Sequence, residues 1–474
     1  MPELDRTTSR DPSPTGGRAV VETLAAAGLR HAFTVPGESF LGVLDALYDA
    51  PIRTIATRHE GGAGFMAEAY GQLTGRPAVV MATRAVGAAN LAIALHTARQ
   101  DSAPLVALIG QVPRAYRGRE AFQEVDQVAT FGALCKAAVE IDDPERLASE
   151  TARMIELAHS GRPGPVLIAL PEDVLDAQVS GPLVVEARAP ERPEPSMAEV
   201  AAVLDALAGA RAPVIVAGAG VRLSGAFDRP DAPVSERLGD DDGPGASALL
   251  TALAEATETP VMAAWRRPDV IGNDHRLYLG MTGYAAPAVV RERLLAADVI
   301  VAIGTRFSEP SSFWYAVPTV DQRIIHIDLE PGLAGRPEPW LAVQADAGRF
   351  LALALERCRA AGLRDPSEQA AIDARRAMND ASRAAFVAAI AAPDAAARAA
   401  LLTPPARGSD PAAVIRSLRA RLPEGTILTT DAGNFGGWAA RYLPIPRHGR
   451  FLGPTSGAMG YALPAAIGAA LAMP

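Results

Sequence analysis

The chain has 474 residues, 49% of them hydrophobic and 21% charged, with a net charge of -9. That length bounds it at roughly three domains, and the composition is that of a globular protein rather than a disordered or fibrous one. The acidic balance, with no long basic run, argues against nucleic-acid binding. The two cysteines, Cys135 and Cys358, exclude a disulfide scaffold and a Cys/His zinc site. No stretch offers the ~20 uninterrupted apolar residues of a membrane helix, and the start is not that of a secretory signal, so the sequence reads as cytoplasmic.

Residues 1–16 are polar and rich in Ser, Thr and Pro, and are expected to form a disordered tail. Apolar runs then alternate with Ala-rich helical stretches. Val79–Thr83, Leu105–Gly110 and Pro165–Pro171 read as buried parallel strands, His31–Val35 before Pro36-Gly37 is strand-like, and Ala63–Leu73 and Asn90–Ala98 read as helices. This alternation predicts an α/β fold with doubly wound parallel sheets, whose first domain spans 17–182. A Pro-, Arg- and Glu-rich linker, 183–196, follows.

The pattern restarts in a second domain, 197–363, with strands at Pro213–Ala217, Asp298–Gly304 and Arg323–Leu329. Ser224–Gly245, rich in Asp, Gly and Pro, is expected to be a surface insertion. An Ala/Arg-rich helical connector occupies 364–410. A third domain begins at 411 with a strand, Thr426–Thr430, and a Gly-rich region from Gly453 to Gly468. Residues 411–474 are too few for a unit of the size of the first two, so this domain is expected to be incomplete.

Four motifs carry a resemblance. They are Arg58-His59-Glu60-Gly61-Gly62-Ala63-Gly64-Phe65-Met66-Ala67-Glu68-Ala69-Tyr70-Gly71, then Ala121-Phe122-Gln123-Glu124, Gly161-Arg162-Pro163-Gly164-Pro165-Val166, and Gly457-Ala458-Met459-Gly460-Tyr461-Ala462-Leu463-Pro464-Ala465-Ala466-Ile467-Gly468. In this order they resemble the thiamine-diphosphate-dependent enzymes of the acetolactate synthase type, over nearly the whole chain. The resemblance implies a pyrimidine-binding domain, a central Rossmann-like domain and a diphosphate-binding domain. The cofactor would lie between the first domain of one subunit and the third of another, so a homodimer or homotetramer is implied, with a regulatory subunit as a further partner. The implied reaction is carboligation or decarboxylation of a 2-oxo acid such as pyruvate.

The resemblance also assigns roles. Glu60 becomes the catalytic carboxyl group, bonded to the cofactor's aminopyrimidine ring and favouring the tautomer whose exocyclic nitrogen takes the C2 proton. Without the resemblance, Glu60 would read as an acidic residue favouring a helix N-terminus. Gly37, Thr83, Gly87, Asn90 and Gln123 are implied cofactor contacts from the first domain. Gly433, Asn434, Gly457, Ala458 and Met459 are those from the third, with Met459 supporting the cofactor's bent shape. Phe122 and Lys136, the one Lys in the chain, are implied on the substrate side. Gly218, Gly220, Gly280, Met281, Gly304, Arg306 and Asp328 are similar to residues that bind FAD in acetolactate synthases.

Two features depart from the family's pattern. Where Thr-Ser-Gly-Pro-Gly-x-x-Asn is expected, the chain reads Thr83-Arg84-Ala85-Val86-Gly87-Ala88-Ala89-Asn90. This change puts another 2-oxo acid decarboxylase or lyase beside acetolactate synthesis. The Gly-Asp and Asn that hold Mg²⁺ on the diphosphate are expected beyond Pro474, so no residue of the chain is assigned to metal. The chain is therefore expected to be inactive alone, either as an incomplete enzyme or as an inactive partner chain. Ser308-Glu309-Pro310 also stands where an acidic-acidic-Arg triplet belongs in the flavin site.

Overall fold

A computed structural model describes residues 14–189, 191–224, 245–332, 338–360, 366–402, 410–446 and 449–474. The chain forms two compact units that divide near residue 190, except that residues 72–75 and 100–102 group with the second.

The first unit is a six-stranded parallel sheet. Its strands are β1 (His31–Thr34), β2 (Arg53–Ala56), β3 (Ala78–Thr83), β4 (Leu105–Gln111), β5 (Ala137–Glu140) and β6 (Pro165–Pro171), in the order β2-β1-β3-β4-β6-β5. Its helices are α1 (Gly16–Ala26), α2 (Leu41–Asp49), α3 (Glu60–Thr74), α4 (Arg84–Asp101), α5 (Gln127–Phe131), α6 (Leu147–His159) and α7 (Glu172–Asp176). Every position of β4 and β6 is buried, which is why both strands read as continuous apolar runs. Alternate residues Val79 and Met81, Val106 and Leu108, and Val166 and Ile168 share one core with α1, α2, α6 and α7. Strand periodicity turns Ala82 to the opposite face, where α4 packs on it through Gly87.

The expected tail ends earlier than residue 16. Thr15 caps α1 by accepting from the Arg18 N–H, and the helix begins at Gly16; residues 1–13 lie outside the described residues. The expected helix Asn90–Ala98 is longer, because α4 begins at Arg84.

The second unit holds another six-stranded parallel sheet: β7 (Val214–Ala217), β8 (Val261–Ala263), β9 (Tyr278–Met281), β10 (Val299–Ile303), β11 (Arg323–Asp328) and β12 (Leu341–Gln344), in the order β12-β11-β10-β7-β8-β9. Around it lie α8 (Met197–Gly209), α9 (Ala219–Leu223), α10 (Ala246–Thr257), α11 (Ala288–Leu295), α12 (Ala347–Ala360) and α13 (Pro366–Leu402). A capping box of Ser196 and Glu199 starts α8. Of the expected insertion Ser224–Gly245, residues 225–244 lie outside the described residues.

The stretch expected to be a connector is a packed helix. Arg375 on α13 is buried, and it donates to the carbonyls of Ala208, Ala210 and Thr257. Arg383 donates to those of Tyr278 and Asn273 at 2.6 and 2.8 Å. A row of Arg side chains thus ends open backbone groups that water would otherwise have to satisfy. The same unit contains a pair of parallel strands, β13 (Ile427–Thr429) and β14 (Arg450–Leu452), with α14 (Pro411–Arg419), α15 (Asn434–Tyr442) and α16 (Ala462–Ala472).

Burial pushes the Cys135 thiol up to about 12, against the smaller opposing pull of Arg99. A group whose pKa is raised on folding stabilises the fold fully below its ordinary value and loses that contribution as pH rises toward the folded value. Urea unfolding of the wild type should therefore show stability falling between pH 9 and 12. Cys135→Ala should flatten that fall; an identical pH dependence in the variant would contradict the assignment.

Candidate active site

Glu60 is the first residue of α3 and is only 8% exposed. The Asn90 side-chain amide donates to its Oε2 at 3.0 Å. A Cβ on Gly87 would lie 3.2 Å from Glu60 Oε1, so the first turn of α4 passes close to the carboxyl group. Beside it the Gly61 N–H donates to His59 Nδ1, and a Cβ on Gly62 would meet nothing within 4 Å. The result is a buried carboxyl group with one oxygen held by an amide and bare backbone next to it. Such a group can hold a proton or pass it to a ring nitrogen.

The loops at the C-terminal ends of β1, β3 and β4 meet one another at the same end of the sheet. A Cβ on Gly37 would lie 2.7 Å from Thr83 Cβ, and the hydroxyls of Ser39 and Thr83 are 2.5 Å apart. Arg84, at φ +38° and 8% exposed, pairs with Glu172 and lies 3.7 Å from Glu38. It also donates to the Phe122 carbonyl at 3.3 Å, with its guanidinium 5.9 Å from the Phe122 ring centre. The Ala85 N–H donates to the next carbonyl, that of Gln123. Phe122 is 70% exposed, and Gln123 has φ +63°. Glu124 closes the loop by accepting from the N–H groups of Gly118 and Ala121.

The first unit therefore brings Gly37, Glu60, Thr83, Gly87, Asn90, Phe122 and Gln123 to one end of its sheet. Lys136 is not among them. It precedes β5, its N–H donates to Pro165 at the start of β6, and its ammonium pairs with the Ser160 carbonyl. That places it at the N-terminal edge of the strands, the end opposite Thr83.

In the second unit, Asp431 organises the C-terminal candidates. Its Oδ1 accepts from the N–H groups of Tyr461 and Ala462 at the start of α16, and the Ala432 N–H donates to the Ala458 carbonyl. Gly433 has φ +139° and leads into Asn434, the first residue of α15. Gly457 and Gly460 have φ +74° and +76°, and between them Ala458 is buried while Met459 is 81% exposed. The backbone thus presents one large apolar side chain outward, a position that water alone does not favour. Sequence reasoning misses the part played by Asp431, which by pattern is one more polar residue of a loop.

The residues expected at a flavin lie on or after β7, β9, β10 and β11, toward the C-terminal edge of the second sheet, where α/β proteins commonly bind nucleotides. Protein packing already accounts for the glycines. A Cβ on Gly220 would lie 2.6 Å from Gly304 Cα, and one on Gly218 2.5 Å from the Gly304 carbonyl. A Cβ on Gly280 would lie 2.5 Å from the Phe386 ring. Met281 is buried, and its sulfur faces the Arg266 N–H. Arg306 follows Gly304 in the loop after β10, and Asp328 ends β11 and accepts from the Glu330 N–H.

Three family profiles match the chain in order: the N-terminal TPP-binding domain of thiamine pyrophosphate enzymes over residues 14–130, their central domain over 241–353, and their C-terminal TPP-binding domain over 431–474. Among curated proteins, the acetolactate synthase isozyme 1 large subunit of Escherichia coli K12 is 32% identical over 480 residues, covering 99% of this chain and 76% of that protein. A probable acetolactate synthase large subunit of Methanocaldococcus jannaschii is 31% identical, covering 97% and 74%. The isozyme 2 large subunit of E. coli K12 is 30% identical, covering 97% and 76%.

Proposed function

Because the chain belongs to the thiamine pyrophosphate enzymes, with acetolactate synthase large subunits as relatives over nearly its whole length, we propose that it is a thiamine-diphosphate-dependent carboligase of 2-oxo acids such as pyruvate. The observation that carries this reading is Glu60, buried, held by Asn90 and flanked by glycine. When bound, the cofactor supplies a nucleophilic thiazolium carbon that adds to the substrate carbonyl and accepts the electrons left by departing CO₂. Glu60 holds the proton at the pyrimidine ring nitrogen, and Asn90 fixes which way its carboxyl group points. Gly37, Thr83, Gly87 and Gln123 line the pyrimidine side, and Phe122 shields the reacting centre from water. Gly433, Asn434, Gly457, Ala458 and Met459 support the other half of the cofactor from a second copy of the chain, which makes a homodimer or homotetramer the working unit. A regulatory subunit and a cytoplasmic location complete the reading.

Mg²⁺ would accompany the diphosphate. Among the described residues no group of three or more His, Cys, Asp or Glu side chains is placed to hold a metal. None of the described helices is long and apolar enough to cross a membrane. A second reading within the family, a decarboxylase or lyase of other 2-oxo acids, draws on the altered segment Arg84–Val86 that follows Thr83.

In a form of the enzyme that supplies the metal-binding segment, Glu60→Gln should bind thiamine diphosphate nearly as well as the wild type and lose on the order of 10²–10⁴-fold in turnover. The amide still contacts the ring nitrogen but cannot manage its proton. Near-normal turnover at saturating cofactor would overturn the assignment.

FAD in the second unit is the less supported part, because its glycines are explained by packing. If the flavin is present, protein purified without added cofactor should release a yellow chromophore on denaturation. A preparation that stays colourless after incubation with FAD removes the flavin from the account.

A further inference from the structure

We infer that Arg84 is a positioning residue that fixes the Phe122–Gln123 loop. The inference rests on the reading of those two residues as part of the active site. From Val112 to Asp126 the chain has no strand or α-helix, so its shape depends on individual bonds. Two consecutive carbonyls in it are gripped from one place: the Arg84 guanidinium takes that of Phe122, and the Ala85 N–H takes that of Gln123. Gln123 sits at φ +63° and Glu120 at φ +56°, conformations that a non-glycine residue leaves unless its surroundings hold it.

Arg84 is itself locked. Glu172 at the start of α7 and Glu38 before α2 neutralise it, and it stands at φ +38° as the first residue of α4. A planar guanidinium can serve a carboxylate and a carbonyl at once, which a Lys ammonium does with far less orientation. The carboxylates also shield its charge from a substrate carboxylate, so Arg84 acts on catalysis through the loop and not by binding substrate. The rigidity that a Gly-Pro-Gly turn would give this segment comes instead from an ion pair.

Hydrogen exchange on the full chain without ligand tests the pin. Arg84→Met should make the amides of 121–124 exchange at least about tenfold faster while those of β3 and β4 keep their rates; unchanged exchange at 121–124 would overturn the inference. Should Arg84→Met fail to fold with Glu172 left unpaired, Arg84→Met/Glu172→Leu removes both charges and carries the same expectation.

In a form of the enzyme that supplies the metal-binding segment, pyruvate turnover separates positioning from substrate contact. Arg84→Met should lower kcat/KM about tenfold, and adding Gln123→Ala should lower it no further than Gln123→Ala does alone. Multiplying losses would overturn the inference, because they would mean that Arg84 acts independently of the loop. If Gln123→Ala alone leaves kcat/KM unchanged, the reading of the loop as part of the site falls, and the exchange rates still decide whether Arg84 pins it.

Discussion

Helices α3 and α4 touch almost backbone to backbone, and the arrangement around Glu60 depends on that contact. A Cβ on Gly64 would lie 2.4 Å from Ala94 Cβ and 2.6 Å from a Leu91 methyl. With glycine and alanine at the crossing, the first turns of both helices come together. Glu60 then reaches Asn90, and Gly87 lies against the carboxyl group. A larger residue at position 64 would part the helices and leave a nearly buried carboxyl group without its amide partner, which costs about 1–3 kcal/mol.

Seven of the twelve strands in the two sheets, β1, β3, β4, β6, β7, β10 and β11, are legible in the amino-acid sequence as apolar runs, and two prolines delimit β6 to the residue; the edge strands β2, β5, β9 and β12 and the three-residue β8 are not. The loops are less legible. The turn after Thr83 shows that something has changed, yet nothing in the local pattern tells that Arg84 faces two carboxylates and a carbonyl from three other segments. Those contacts are long-range, and local pattern does not encode them.

The same limit bears on two further segments. The stretch 364–410 reads as an Ala/Arg helical connector; within it 366–402 form a helix whose Arg375 and Arg383 donate to carbonyls of the second unit. Lys136 is implied on the substrate side by the resemblance, and its ammonium pairs with the Ser160 carbonyl at the N-terminal edge of the first sheet. By contrast, the Gly-rich run 457–460 is informative, since the positive φ at both of its ends demands glycine around the outward-facing Met459.

We propose that Glu60, held by the α3–α4 contact, manages the cofactor's proton. The rate at which thiamine diphosphate exchanges its C2 proton for deuterium in D₂O, with and without saturating protein, reads this step directly. Wild-type protein should accelerate it by roughly 10²-fold or more, an effect lost in Glu60→Ala while the cofactor remains bound. Equal exchange rates with wild-type and Glu60→Ala protein, both shown to hold the cofactor, would contradict it.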